Sequence, residues 1–154
     1  MSKMPHYTLP RIDLLRRLAE HLETGQLGHE RFYFGFFNYG YSSPKRQHYL
    51  DQPRLKLCNS AGCGIGECPF IFPEWYFDYA EQPVYGMHTS SEMSARGFFS
   101  LDTMEYQHLF VPDRQLPLRF GGERLTKEAT KEQVAGNIWI FCEHIDKKHG
   151  HVGI

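Results

Sequence analysis

Three cysteines stand at even intervals in one glycine-rich stretch, Cys58-Asn-Ser-Ala-Gly-Cys63-Gly-Ile-Gly-Glu-Cys68-Pro69, and residues of these types can support three kinds of chemistry. The glycines Gly62, Gly64 and Gly66 leave backbone N–H groups open, as in loops that cradle phosphate at a helix start. With Ser60 as the cap of a short helix, the amides of Ala61, Gly62 and Cys63 form the expected anion site, where a base or ring would stack on Tyr76 or Tyr79. No Lys-Ser or Lys-Thr follows the glycines, so the phosphate-loop motif is incomplete. The thiols could instead hold zinc, with His88 or His108 completing the set. Their spacing of five is wider than the usual zinc pairs, and on a helix Cys63 and Cys68 would diverge. Third, Cys63 in a first helical turn would have its thiol pKa lowered by the helix dipole and could act as a nucleophile. Against all three stands plain packing. Each helical glycine costs roughly 1 kcal/mol relative to alanine, so three in five residues imply a close contact on that face.

Other candidates are less complete. His88-Thr89-Ser90 resembles half of the paired His-x-Thr/Ser signature of two-histidine phosphodiesterases, and the second half is missing. Glu67, Glu74 and Asp78 could pair as acid and base or form a solvated rim. His144, His149 and His151 flank the end of the last expected helix, where positive charge is favourable.

The elements that must position these residues follow from periodicity and caps. Thr8 and Pro10 open a helix whose Leu15, Leu18, Ala19 and Leu22 share a face and which Gly25 ends. The aromatic run 31–38 is expected to be extended or a short helix, residues 39–53 a loop, and 54–57 a short strand. Ser60 starts the glycine helix and Pro69 ends it, since proline disfavours helical geometry in the residue before it. Ser90 or Ser91 opens a helix through Phe99. Asp102 and Glu105 have capping-box spacing for a helix to about Phe110, and 113–125 reads as loop. Thr126 caps the last helix, which runs from Lys127 to about Lys147. The expected fold is mainly α, a single domain over 1–154 of about five helices with at most a short β-hairpin, and with flexible ends at 1–7 and 150–154.

The chain has 154 residues with 17 Lys and Arg against 18 Asp and Glu, a net charge of -1. That balance argues against bulk nucleic-acid binding or adhesion to an anionic membrane. No stretch reads as a signal peptide or membrane span, and four cysteines are too few for a secreted disulfide scaffold. A cytoplasmic location is therefore expected.

The segment from Cys58 to Gly66 resembles the Cys-Gly-Thr/Ser-x-x-Cys-x-x-Gly motif of many small uncharacterised bacterial and phage proteins. These share an N-terminal helix, an aromatic segment before the motif, an acidic or aromatic stretch after it and a helix ending in Leu-Phe. The counterparts are residues 9–25, 32–37, 70–78 and 98–110, with Asn59 in place of the usual glycine. The resemblance implies a family and no chemistry. The expected function is a non-catalytic binding or inhibitor protein, phage-borne or on a mobile element, that occupies a host protein or a small anionic ligand and needs no cofactor. The alternatives are a protein that sequesters a nucleotide signal and a hydrolase or transferase dependent on Cys63.

Overall fold

A computed structural model describes residues 9–25, 27–32, 34, 57–78, 82–88 and 90–149. The expected Thr8 cap, the end of the aromatic run, the loop over 39–53, Tyr79, Thr89, His151 and both chain ends lie outside these residues. The described part is mainly helical, with six helices, one antiparallel hairpin and a short parallel strand pair. In chain order they are α1 (Ile12–Thr24), β1 (His29–Phe32), β2 (Leu57–Gly62), α2 (Gly64–Ile71), β3 (Trp75–Phe77), β4 (Pro83–Tyr85), α3 (Ser91–Phe99), α4 (Thr103–Phe110), α5 (Pro117–Phe120) and α6 (Lys131–His149).

Helices α1 and α6 pack antiparallel and form the backbone of the fold. Leu15, Leu18, Ala19 and Leu22 make the α1 stripe as its spacing predicts, and they share one core with Val134, Ile138, Phe141 and Cys142 of α6. Polar contacts fix both ends of this pair. Lys131 Nζ, at the start of α6, donates to the Leu22 carbonyl at 2.7 Å, satisfying an open carbonyl at the end of α1. Arg16 pairs with Asp146 at 3.3 Å near the other end.

The caps of the middle helices fall where the sequence puts them. Ser90 accepts the Met93 amide at 3.1 Å and α3 runs to Phe99. Asp102 and Glu105 close a reciprocal capping box at 2.8 and 2.9 Å. Elsewhere boundaries move. Helix α1 begins at Ile12, with Pro10 and the Arg11 cap before it. The last helix begins at Lys131 rather than Lys127, because Thr130 and Gln133 make their own reciprocal pair at 3.1 and 2.9 Å. Thr126 caps only a turn, accepting from Glu128. Pro117 starts a single helical turn, α5, inside the expected loop.

Two further differences concern the glycine-rich segment. Ser60 does not cap a helix: it lies in β2, which pairs in parallel with β1, Ala61 opposite Arg31 and Gly62 opposite Phe32. The helix starts after Cys63 and passes through Pro69 to Ile71. Pro69 has no N–H to give, so one rung of the ladder is missing. Burial of the Cys63–Pro69 stretch and of Phe72 outweighs that loss. The hairpin β3–β4 follows, with Trp75 opposite Tyr85 and Phe77 opposite Pro83. It leans on α3 through aromatic contacts of Tyr85 and Trp75 with Phe98, at 4.9 and 5.6 Å between ring centroids.

Candidate functional site

The sequence directs attention to the junction of β2 and α2, and there every residue from Cys63 to Pro69 is buried. A helix with no polar face belongs inside a core. Gly64 faces α1 and α4, where a Cβ would lie 3.6–3.8 Å from Leu22, Phe110 and Leu18, ordinary van der Waals contact that leaves room for a methyl and not for a larger side chain.

Cys63 is the N-cap of α2 and is 1% exposed. Its backbone has φ -91°, an ordinary extended geometry rather than the strained turn that thrusts out a nucleophile. Burial pushes its thiol up to about 11, although the amides of Gly66 and Ile65 act in the opposite direction. The dipole-lowered thiol that a helix start predicts is therefore reversed, because desolvation is the larger effect. Cys68 is likewise raised by burial, and its sulfur donates to the Gly64 carbonyl at 3.6 Å. Burial pushes Cys142 up to about 12. All three are free thiols.

The expected anion site divides in two. Ala61 and Gly62 belong to the strand ladder, and the helix start lies at Cys63 and Gly64. The amides of Ile65 and Gly66 face the Cys63 sulfur, so the chain's own side chain stands where an anion would approach the helix end.

The polar centre of the segment is Glu67, wholly buried. Its Oε1 accepts the Gly28 amide at 2.7 Å and meets His21 Nε2 at 2.8 Å. One carboxylate thus ties α2 to α1 and to the chain entering β1. Gly28 makes this possible, because a methyl on its Cα would run into the Phe70 ring. Neither Glu67 nor Gly28 stands out in sequence as structural. The available signal is that Glu67 is the one charged residue in Gly64–Ile71, so a helix buried on all sides must bury it too.

The remaining candidates are not brought to this point. Glu74 is exposed, while Asp78 Oδ1 accepts the Gln82 amide at 2.9 Å and closes the hairpin. His88 packs on Tyr85 at 5.8 Å between centroids, with Nε2 against Gly97. The Tyr76 hydroxyl donates to the Gly86 carbonyl at 3.0 Å. His108 is in the core beside Phe120, and His144 touches the same ring. Among the described residues no three His, Cys, Asp or Glu side chains converge as a metal site would need. Among them, too, no helix is long and apolar enough to cross a membrane.

Large apolar side chains also stand outside the core. Met87, in the turn after β4, is 96% exposed, and Leu118 on α5 is fully exposed. Tyr76 on β3 and Met93 on α3 are partly so. The chain matches no protein-family model, no curated protein and no solved structure.

Proposed function

We propose that the protein acts by binding, without catalysis, and that its partner is another protein. The observation that carries this reading is the state of Cys63: a buried thiol held up near 11 is neutral at physiological pH and cannot serve as a nucleophile without prior opening. The one wholly buried carboxylate of the same helix, Glu67, is engaged with His21 and the Gly28 amide. What the chain offers a partner is surface, and exposed methionine and aromatic side chains such as Met87 and Tyr76 are of the types enriched at protein contacts. The resemblance of Cys58–Gly66 to small phage and bacterial proteins supports a phage or mobile-element origin and a host protein as the target.

The test compares wild type with Cys63→Ser and Met87→Asp, each immobilised and exposed to lysate of the source cells, with captured proteins quantified by mass spectrometry. The reading expects one protein enriched by wild type and by Cys63→Ser and lost with Met87→Asp. Turnover of any ester, thioester or amide substrate that disappears in a folded Cys63→Ser variant would overturn it in favour of the cysteine-dependent enzyme. Capture that all three variants share equally would move the contact surface away from Met87.

A further inference from the structure

His108, on α4, is wholly buried, with its ring 4.9 Å from that of Phe120 and 6.5 Å from that of Phe141. Its Nδ1 accepts the amide of Leu116 at 2.8 Å, and Leu116 is the cap residue of the α5 turn. An accepting Nδ1 places the proton of the neutral ring on Nε2, a buried nitrogen that makes no close hydrogen bond, the Gly121 backbone being the polar group that acts on the ring.

The chain around it is held by other groups that do not titrate in the same range. Gln115 donates to the carbonyls of His108 and Val111 and accepts from the Leu125 amide, each at 2.9 Å. Asn137 on α6 clasps both backbone groups of Glu123 at 3.0 and 2.8 Å. Of these hydrogen-bonding side chains, His108 is the one that couples the segment to a proton. A second proton on the ring would sit on Nδ1 and set one donor against another at Leu116, and it would place a charge between two phenyl rings.

We propose that His108 is a pH-sensitive latch: neutral, it holds the Leu116–Phe120 turn on the helical core, and protonated, it releases that turn together with Phe120. Of the charged neighbours, His144 favours the same direction. On its own helix Glu105 is bound to the Asp102 amide, with Arg119 of α5 and Lys148 of α6 acting on it. From α6, His144 is the neighbour that acts on His108, and it opposes a positive charge there.

Burial holds the closed ring down at about 4, with the Gly121 backbone giving only partial relief. Once released, the ring would titrate near its ordinary value of about 6.5. The depressed histidine therefore supports the closed form above about pH 6.5 and loses that support as pH falls towards 4. Between pH 7 and pH 5 the open population rises about twenty-fold.

Amide hydrogen exchange of the full chain, read by mass spectrometry at pH 7 and pH 5 and corrected for intrinsic rates, tests this. Protection over residues 116–121 should fall about twenty-fold while that of α1 holds. In His108→Asn the amide oxygen takes the place of Nδ1 as acceptor and cannot titrate, so protection over 116–121 should be alike at the two pH values. The latch is overturned if wild type shows no such fall, if His108→Asn shows the same fall, or if α1 opens together with the segment. Should His108→Asn not fold, a histidine NMR titration of wild type decides: a His108 ring that protonates near 6.5 in the closed protein removes the mechanism.

Discussion

Replacing Glu67 measures how much of the fold hangs on one buried carboxylate. In Glu67→Ala the Gly28 amide and His21 Nε2 both lose the oxygen they now meet at 2.7 and 2.8 Å. Leaving the buried Gly28 amide unsatisfied costs about 1–3 kcal/mol, the part-buried His21 nitrogen costs less, and the one lost methylene adds about 0.8 kcal/mol. The sum, about 4 kcal/mol, falls within the roughly 3–5 kcal/mol expected when one member of a buried pair is removed. Glu67→Gln keeps an acceptor oxygen and the same shape, losing only the assistance of charge, so about 1 kcal/mol is expected. Urea unfolding followed by circular dichroism reads both. At a slope near 2 kcal/mol per molar, the alanine variant should unfold about 2 M earlier and the glutamine variant about 0.5 M earlier. Glu20→Ala, on the exposed face of α1, serves as the control and should stay within about 0.5 kcal/mol of wild type. The reasoning fails if Glu67→Ala costs no more than that control or no more than Glu67→Gln.

Two further predictions concern the cysteines and the glycines. Because Cys63, Cys68 and Cys142 are buried and raised, these three should resist a thiol reagent at pH 8 in the native protein. They should react at the rate of unfolding, and rapid native modification of Cys63 would contradict its placement. The glycines should separate by position. Gly28→Ala should cost about 1–3 kcal/mol and be partly relieved by Phe70→Ala, since a methyl there meets the Phe70 ring. Gly64→Ala should change stability by less than about 1 kcal/mol because its Cβ has van der Waals room, whereas Gly64→Val should cost about 1–3 kcal/mol. Equal costs at the two positions would refute the packing geometry.

What was legible in the sequence was what neighbouring residues decide among themselves. Ser90 with Met93, Asp102 with Glu105 and the α1 stripe are settled within one or two turns, and each lies where its spacing puts it. The start of α6 was ambiguous for the same local reason. Thr126 and Thr130 are both competent caps, and Gln133 decides for Thr130 by answering its amide. The parallel pair of β1 and β2 had no such signal, because His29 meets Leu57 across a long stretch of chain. With that pairing unseen, Ser60 read as a cap, and the helix start was set too early.

The candidate site shows the same division more sharply. A cysteine at a helix start carries a local electrostatic argument for a low pKa. That argument assumes solvent nearby, and Cys63 is buried in the core cluster that α1, α2 and α4 close together, an assembly no local pattern encodes. Glu67 reverses the usual inference in the opposite sense. A lone carboxylate among glycines and cysteines reads as surface, yet a helix with no other polar group has no solvated face on which to display it. Gly28 then supplies a backbone donor, and His21 a ring nitrogen, from elements that sequence alone could not bring near. The motif is thus spent on joining α1, β1 and α2. On the proposed binding reading, specificity would rest on side chains that this core holds outward, and among the described residues Leu118 on α5 and Met87 in the turn after β4 are the most exposed large apolar ones.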